Sequence, residues 1–416
     1  MNKTYVIQGN KELNGEVNIS GSKNAALCLL AAALLTQEKT ILFNIPNISD
    51  IRYFIEILSY LNVKTEFNDN VLKIDPSSME IRNLRIPQVS KFRASYYLIG
   101  ALISKFKKLK INMFGGCDFV DRPINYHLDM FASFGVNYSF KDDYYEFEFN
   151  DNLNDRYRLP YPSFGATINA ILFAVSLKRK ITIENICLDI EIQSFIDFLI
   201  KMGAKIVIDG NNIVIKAFKL KGCSFKNIPD KIESGNFILM GPLICSKLKV
   251  NNIRPLDNKA IFDLLSSLDV EYELGDDYVV LHKSKITKSC IINTGINQSI
   301  SSDLQPLLSV FCLNIPRISI IKEKVYKSRF THIEPLKKMG GFILESNQNI
   351  LINGIMTLIG QKIVCTDLRM TSAMIFASLC AEGESVLYHG EYLDRGYENL
   401  INKLRNLGAD IKVYES

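Results

Sequence analysis

The strongest constraint on the fold is a phrase that recurs six times along the 416 residues. In each copy an amphipathic helical stretch runs into a Gly, Asn or Asp, after which apolar and polar residues alternate. The six copies are LSYLNVKTEF, FASFGVNYSF, LIKMGAKIVI, LSSLDVEYEL, LKKMGGFILE and LRNLGADIKV, with pivots at Asn62, Gly135, Gly203, Asp269, Gly340 and Gly408. Because these three residue types adopt the left-handed conformation with least strain, each pivot predicts a helix end followed by a strand.

A second recurring phrase is a helix rich in small residues that follows a polar or charged start. Its copies are SGSKNAALCLLAAALL, KFRASYYLIGALIS, SFGATINAILFAV, IESGNFILMGPLI, SSDLQPLLSVFCL and TDLRMTSAMIFASL. Small side chains allow close packing, so these helices are predicted to be buried, and each unit is predicted to run strand, buried helix, strands, amphipathic outer helix, strand. Solenoid repeats span about 20 to 45 residues, and these units are longer. The pattern therefore predicts an α/β protein with two similar domains of three strand–helix units each.

The starts of the six buried helices carry mostly charged residues. They are Lys23, Arg93, Ser163, Glu233, Asp303 and Arg369. Backbone amides at helix N-termini bind anions, so a cleft that received all six starts would suit an anionic substrate. Any one of these residues alone is more readily explained as a solvated helix cap.

Composition limits the classes of partner and compartment. Lys plus Arg exceed Asp plus Glu, 49 against 44, without a concentrated basic tract, which favours small anions over nucleic acid. The nine cysteines are odd in number and lie mostly in apolar runs, and no zinc-ligand spacing joins Cys and His residues. A reducing cytoplasm and no metal or cofactor are therefore predicted. No signal region precedes the first predicted strand, and the longest apolar run, AALCLLAAALL, is roughly half the length that spans a bilayer.

Specific motifs then point to a family. SGSKNAALCLLAAALL, FRASYYLIGAL, GGCDFVDRPINYH, PDKIESG, TDLR and LDRGYENL stand in this order along the whole chain. In this combination the sequence closely resembles the UDP-N-acetylglucosamine 1-carboxyvinyltransferases, a branch of the enolpyruvyl transferases. The resemblance implies two inverse α/β barrel-like domains, each with pseudo-threefold symmetry, and an active site in the interdomain cleft. It places the first domain at residues 22–229, with a mobile loop near 112–123, and the second at 1–21 and 230–416.

The resemblance also implies a reaction. The enolpyruvyl group of phosphoenolpyruvate is transferred to the 3′-hydroxyl of UDP-N-acetylglucosamine, phosphate is released, and a tetrahedral intermediate forms by addition and collapses by elimination. This is the first committed step of peptidoglycan biosynthesis. Cys117, placed after two glycines in NMFGGCDFVDRP, is the implied proton donor, forms an adduct with phosphoenolpyruvate and is the target of fosfomycin. Asp303 is the implied base, or the group that orients the sugar hydroxyl.

The remaining site residues follow by matching motifs. Cys117, Asp303, Lys23 and Arg395 are the implied catalytic residues. Phosphoenolpyruvate is expected to contact Lys23, Asn24, Arg122, Arg329, Arg369 and Arg395. The nucleotide sugar is expected to contact Arg93, Arg122, Pro123, Ile124, Asn125, Tyr126, Tyr161, Pro162, Ser163, Phe164, Asp303 and Val325. Planar guanidinium groups suit carboxylate and phosphate, which is a physical reason for so many arginines. Glu191 matches a family acid near the site but receives no chemical step.

Four positions depart from the common pattern, and two alternatives stay open. Phe114, Asn125, Tyr161 and Lys231 stand where Pro, Asp, Lys and Arg are frequent, and none of these changes removes a proposed chemical group. One alternative is 3-phosphoshikimate 1-carboxyvinyltransferase, which shares the fold and the phosphoenolpyruvate chemistry but not the GGC loop. The other is a non-catalytic repeat scaffold, which would not need a Lys, a Cys, an Asp and five arginines at the motif positions. No obligate protein partner is predicted.

Overall fold

The computed structural model describes residues 2–115, 124–150, 154–177, 179–216, 219–296, 299–326, 329–354 and 357–415. The described chain divides into two compact units. The first unit holds residues 21–115 and 124–228, and the second unit holds residues 2–20 and 229–415. The chain therefore leaves the second unit after its first two strands and returns to it after residue 228.

The first unit is built from three buried helices, three outer helices and three sheets in its described part. The buried helices are Lys23–Ala33, Tyr97–Phe106 and Phe164–Ser176, and the outer helices are Ser49–Tyr60, Asn125–Ser133 and Ile190–Lys201. In order across each sheet, the strands are Ser224–Lys226, Thr40–Phe43, Val71–Asp75 and Lys64–Asn68; Lys108–Asn112, Tyr144–Phe149 and Val136–Lys141; and Lys205–Asp209, Asn212–Lys216, Lys180–Glu184 and Arg156–Arg158. Short 3₁₀ helices lie at Pro76–Ser78, Pro87–Lys91 and Arg93–Tyr96.

The second unit repeats this plan in its described residues. Its buried helices are Lys231–Ile244, Gln305–Leu313 and Leu368–Cys380, and its outer helices are Lys259–Ser267, Ile333–Lys338 and Leu400–Asn406. The sheets run Tyr272–Leu274, Tyr278–His282, Cys245–Asn251 and Leu13–Asn18; Ile300–Ser301, Ile291–Gly295, Ile318–Glu323, Asn349–Asn353 and Phe342–Ser346; and Lys362–Val364, Glu384–Tyr388, Lys3–Gln8 and Asp410–Glu415. Its 3₁₀ helices are Pro255–Asn258, Ser302–Leu304 and Gly390–Arg395.

The six pivots confirm the predicted helix ends. Asn62, Gly135, Gly203, Asp269, Gly340 and Gly408 all have positive φ, from 59° to 106°. Each follows an outer helix and precedes a strand. The small-residue helices are buried as predicted, because Ala25 to Ala33 and Gly165 to Val175 are inaccessible along their whole lengths. The helix ends and the helix burial predicted from local sequence are therefore both confirmed.

The order of strands within a repeat differs from the prediction. A single strand, such as Lys180–Glu184, separates the buried from the outer helix, and a two-stranded hairpin, such as Lys205–Asp209 with Asn212–Lys216, follows the outer helix. The hairpin folds back so that its second strand pairs antiparallel with the middle strand. Because only two residues join the strands of the hairpin, the sequence of both strands reads as one alternating stretch.

The N-terminal strands complete the second unit. Lys3–Gln8 pairs antiparallel with both Glu384–Tyr388 and Asp410–Glu415, so it supplies the hairpin strand that the last repeat lacks. Leu13–Asn18 pairs parallel with Cys245–Asn251 and supplies the first strand of the fourth repeat. Within the described ranges, no helix has both the length and the apolar character needed to cross a membrane.

Candidate active site

Asp303 lies between two buried arginines in the second unit. Arg329 Nη1 donates to Asp303 Oδ1 at 2.6 Å, and Arg369 Nη2 donates to Asp303 Oδ2 at 2.7 Å. The arginine side chains are 5% and 9% exposed, whereas the Asp303 side chain is 23% exposed. One carboxylate thus holds two guanidinium groups, and only the carboxylate is open to solvent to a substantial extent. The three residues predicted from separate motifs are brought together here.

Helix starts place two of these residues. Asp367 caps the helix Leu368–Cys380 by accepting from the backbone amides of Arg369 and Met370, which fixes Arg369 in the first turn. Asp303 lies in the 3₁₀ turn Ser302–Leu304, whose amide at position 303 donates to Ser301 Oγ. Capping side chains that satisfy amides at a helix start also fix the direction in which the first residues leave the backbone.

Arg369 belongs to a buried polar cluster behind Asp303. Its Nη1 donates to Tyr397 Oη at 3.2 Å, and the same hydroxyl accepts from Asn236 Nδ2 at 2.8 Å and donates to Ser372 Oγ at 3.2 Å. Burial alone would lower the pKa of Arg369, but the attraction of Asp303 and Tyr397 outweighs it and holds that pKa above its usual value. Burial raises the pKa of Tyr397 as well. The cation is therefore fixed in place and stays charged.

Arg329 is bordered by the turn that contains Val325. The Arg329 guanidinium lies over the Tyr326 ring, with its central carbon 4.4 Å from the ring centroid, and such stacking favours a cation. The backbone amides of Val325 and Tyr326 donate to Glu323 Oε1 at 2.7 and 3.0 Å. Val325 is half-buried, so its main chain is held while its side chain stays partly accessible.

Arg395 lies in the same unit as Asp303. It is the last residue of the 3₁₀ helix Gly390–Arg395, which packs against the helix Leu368–Cys380 that carries Arg369. Its side chain is half-buried. Three of the predicted phosphoenolpyruvate arginines, at positions 329, 369 and 395, thus belong to the second unit.

Lys23 forms an ion pair in the first unit. Its Nζ lies 2.7 Å from Asp50 Oδ2, with side-chain exposures of 11% and 3%. Ser22 caps the helix Lys23–Ala33 by accepting from the amide of Ala25, and Asn24 is half-buried in the same first turn. Like the arginines around Asp303, this predicted phosphate-binding cation is held by a buried or partly buried carboxylate.

Arg93 and His127 mark a second polar cluster of the first unit. Arg93 lies over the Tyr96 ring at 5.8 Å, and the Tyr96 and His127 rings are 4.5 Å apart. Asn169 Oδ1 accepts from the amide of Gly100, so its Nδ2 donates to His127 Nδ1 at 2.9 Å. Burial and the nearby Arg93 lower the pKa of His127 to about 3. His127 is therefore a neutral imidazole with its proton on Nε2.

Two predicted nucleotide-sugar segments meet near this cluster. Tyr126, at 40% exposure, and Tyr161 are stacked with ring centroids 6.3 Å apart. Ser163 caps the helix Phe164–Ser176 by accepting from the amide of Ala166. A Cβ atom at Gly165 would lie 2.5 Å from Tyr96 Oη, so only glycine allows this close approach. Stacked, partly exposed rings beside helix-terminal amides suit a planar base and an anionic group.

Not every predicted residue can be placed at a site. Ile124 is buried, and Asn125 is exposed at the start of the helix Asn125–Ser133; Pro162 and Phe164 are half-buried. Glu191 is buried in the first turn of the helix Ile190–Lys201, which packs against the helix Lys23–Ala33. Cys117, Arg122 and Pro123 lie outside the described residues, as does the rest of the predicted loop from residue 116 onward.

Several residues that contact the predicted site residues are absent from the sequence-based prediction. Asp50, Asp367, Tyr397 and Glu323 each bond a predicted site residue or its backbone. Asp367 and Tyr397 lie inside the motifs TDLR and LDRGYENL and could have been included. Asp50 and Glu323 lie in segments without a distinctive motif, so no local signal identifies them.

Comparison with known proteins adds relatives and a fold. The model of the EPSP synthase (3-phosphoshikimate 1-carboxyvinyltransferase) family matches residues 7–404. A UDP-N-acetylglucosamine 1-carboxyvinyltransferase 2 of Listeria monocytogenes is 33% identical over 99% of this chain and 98% of its own length. The UDP-N-acetylglucosamine 1-carboxyvinyltransferase of Kosmotoga olearia is 33% identical over 98% of both chains, and that of Prochlorococcus marinus is 36% identical over 97% of this chain and 90% of its own.

Solved structures share the fold at low sequence identity. The enolpyruvyl transferase NikO from Streptomyces tendae superposes with a TM-score of 0.90 at 22% identity, covering 100% of this chain and 99% of that one. EPSP synthase from Acinetobacter baumannii gives 0.77 at 13% identity, with 100% of both chains covered. These likenesses confirm the predicted two-domain α/β fold. The chain belongs to the enolpyruvyl transferase family that the EPSP synthase model describes, and within it to the UDP-N-acetylglucosamine 1-carboxyvinyltransferases.

Proposed function

We propose that this protein transfers the enolpyruvyl group of phosphoenolpyruvate to the 3′-hydroxyl of UDP-N-acetylglucosamine and releases phosphate. The observation that carries the proposal is the Asp303 carboxylate held by two buried guanidinium groups. This arrangement combines a group that can accept a hydroxyl proton with cations that can bind a trianionic substrate. Relatives that are named for this activity and match over nearly their whole length support the choice of substrates.

The ion pairs suggest how binding of phosphoenolpyruvate prepares Asp303 to meet the sugar hydroxyl. While Arg329 and Arg369 both bond Asp303, they stabilise its ionised form and occupy its oxygens. The carboxylate and phosphate of phosphoenolpyruvate would compete with Asp303 for the same guanidinium hydrogens, because guanidinium groups form charged, bidentate hydrogen bonds with both kinds of anion. Binding of phosphoenolpyruvate would then release Asp303 to accept a hydrogen bond from the sugar hydroxyl, either as a base or as an orienting group.

Lys23 has the matching role in the first unit. Its ammonium group neutralises Asp50 at 2.7 Å and is 11% exposed. A phosphoryl group at the start of the helix Lys23–Ala33 would meet this ammonium together with helix-terminal amides. Cys117, which the resemblance identifies as the acid, would protonate the methylene carbon of phosphoenolpyruvate. The 3′-oxygen of the sugar bonds to the neighbouring carbon, which carries the phosphate, and gives the tetrahedral adduct. Loss of phosphate from that carbon, with loss of a proton from the adjacent methyl group, then forms the enol ether.

In the first unit, an aromatic surface and a cation would contact the nucleotide sugar. Tyr126 and Tyr161 offer an aromatic surface, and Arg93 offers a cation beside the neutral His127. Phosphoenolpyruvate and UDP-N-acetylglucosamine are thus the proposed small-molecule partners. We further propose a cytoplasmic location and a role at the first committed step of peptidoglycan biosynthesis, because that is where both substrates and this reaction belong.

A two-substrate assay tests the proposal. Purified protein with phosphoenolpyruvate and UDP-N-acetylglucosamine is expected to release phosphate, and mass spectrometry is expected to show an acceptor heavier by one enolpyruvyl group. Omission of either substrate should abolish release. Release with 3-phosphoshikimate in place of the nucleotide sugar would instead support the shikimate-pathway alternative. Folded protein that turns over neither acceptor would favour the scaffold.

A further inference from the structure

Glu323 is a buried carboxylate at the end of a strand in the second unit. Along Ile318–Glu323 the odd positions from Ser319 point inward, so the alternation that buries Ile321 also buries Glu323, which is 2% exposed. A charged side chain in such a position is strongly unfavourable unless its oxygens are bonded. Its hydrogen bonds therefore identify what the carboxylate holds in place.

Four donors surround the two oxygens of this carboxylate. The amides of Val325 and Tyr326 donate to Oε1 at 2.7 and 3.0 Å. The hydroxyls of Thr294 and Ser302 donate to Oε2 at 2.8 and 2.9 Å. A carboxylate only accepts hydrogen bonds and has about four such positions, so these donors match its capacity.

Two of these donors lead directly to the reacting groups. Ser302 Oγ accepts from Arg329 Nη1 at 3.4 Å and lies next in sequence to Asp303. The Tyr326 ring lies under the Arg329 guanidinium at 4.4 Å. Glu323, Tyr326, Arg329 and Ser302 thus form a closed ring of contacts, and Arg329 extends from it to Asp303 at 2.6 Å.

We propose that Glu323 is a positioning residue for enolpyruvyl transfer, which sets the geometry of Arg329 and Asp303 through Ser302 and the turn at Val325 and Tyr326. The inference rests on the proposed function, because it takes Arg329 and Asp303 to be the groups that meet substrate. Glu323 itself touches neither of their side chains in these contacts. Its effect is to hold Arg329 from two sides.

The arrangement needs both carboxylate oxygens of Glu323 as hydrogen-bond acceptors. In Glu323→Gln the amide oxygen can still accept from the two backbone amides, and side-chain volume is unchanged. The amide nitrogen must then face Thr294 and Ser302, where it can only donate. Ser302 Oγ would receive donors from both this new amide nitrogen and Arg329 while its own hydrogen loses its acceptor, which displaces the contact that fixes Arg329.

Three variants separate positioning from folding. Glu323→Gln and Ser302→Ala disturb the ring, whereas Thr294→Val removes one hydroxyl bond to the same Glu323 oxygen from the strand Ile291–Gly295 and touches neither Arg329 nor Asp303 in these contacts. We expect the first two to lower kcat by about 10-fold or more, since misplacement by about 1 Å costs up to about 100-fold. KM for phosphoenolpyruvate should change less than kcat, because the other proposed cations remain. Thr294→Val should lower the melting temperature as much as the other two variants do, and should keep kcat within about twofold of the wild-type value.

The outcomes distinguish this inference from the proposed function. Equal kcat in all three variants, or kcat losses that follow the loss of folded protein by circular dichroism, would overturn the positioning role. Failure of the wild-type protein with UDP-N-acetylglucosamine would overturn the proposed function instead. Crystal structures of Glu323→Gln and Thr294→Val give a readout independent of turnover: Arg329 should leave Asp303 only in the first, and an unmoved Arg329 there would also overturn the role.

Discussion

In the proposed mechanism, Asp303 competes with phosphoenolpyruvate for two guanidinium groups, and a single substitution tests that competition. Asp303→Asn keeps the shape of the side chain and removes its charge, leaving Arg329 and Arg369 buried without their anion. We expect calorimetry to show tighter phosphoenolpyruvate binding, while kcat falls by about 100-fold or more because the acceptor hydroxyl loses its partner. Melting temperature should fall in buffer and recover on addition of phosphoenolpyruvate or inorganic phosphate.

A surface ion pair of the same unit supplies the control for this substitution. Asp410 pairs with Lys11 at 2.7 Å, and the two side chains are 44% and 47% exposed. Asp410→Asn removes the same charge but should leave phosphoenolpyruvate affinity, kcat and the melting temperature nearly unchanged, since exposed pairs contribute about 0 to 1 kcal/mol. Unchanged or weaker phosphoenolpyruvate binding in Asp303→Asn would contradict the competition.

Among the helices and strands, helix ends and buried helices were predictable because their causes are local. A positive φ at Gly203 or Asn62 follows from the residue type at that position, and burial of Phe164–Ser176 follows from its run of small and apolar residues. Strand pairing is not local in this sense. Leu13–Asn18 pairs with Cys245–Asn251, more than two hundred residues away, and nothing in either strand specifies the other.

The candidate site shows the same division. Asp303 and Arg369 could be identified separately because each lies in a distinctive motif at a helix start. Their ion pair could not be predicted from the residues, because it depends on how two helices 66 residues apart are brought together. Glu323 escaped detection for a related reason: in the sequence it is one acid in an alternating strand, and only the tertiary contacts show that its oxygens are fully bonded.

A buried ion pair holds the start of one helix to another element. Glu233, in the first turn of Lys231–Ile244, accepts from Lys403 Nζ at 2.5 Å and from the amide of Ser20 at 2.8 Å. Burial raises the pKa of Glu233, and the attraction of Lys403 opposes that rise. Lys403→Met removes the opposing cation, so at neutral pH we expect a loss of about 3 to 5 kcal/mol in the free energy of unfolding.

This loss should depend on pH in a defined direction. With Lys403 removed, the pKa of Glu233 rises further above its value in the unfolded chain, so the folded state binds a proton that the unfolded state releases. The stability of the variant relative to wild type should therefore improve as the pH falls from 7.5 to 5.5. Urea unfolding at pH 7.5 and pH 5.5 measures the difference. A penalty equal at both values would show that the substitution does not make Glu233 take up a proton in this pH range.

Across the full chain, each of the two units contains a buried, neutral histidine. Burial, with Arg93 or Arg329 nearby, lowers the pKa of His127 in the first unit and of His332 in the second unit to about 3. The unfolded chain protonates each imidazole near pH 6.5, whereas the folded chain does not. The stabilisation is thus present above pH 6.5 and is lost as pH falls toward 3, by up to about 1.4 kcal/mol per pH unit for each histidine.

Substitution of each histidine assigns that acid sensitivity to one unit. His127→Gln keeps an acceptor for Asn169, and His332→Gln keeps a partner for Ser309; both variants should be less stable at pH 7 but lose less stability between pH 6.5 and 5. His282→Gln, at an exposed position, is the control and should change the free energy of unfolding at pH 7 by about 0.5 kcal/mol or less. If the units unfold in separate transitions, each buried substitution should flatten only the transition of its own unit, because the proton uptake it removes occurs when that unit alone opens. Urea titrations at several pH values test this, and an unchanged slope in both glutamine variants would contradict neutral burial.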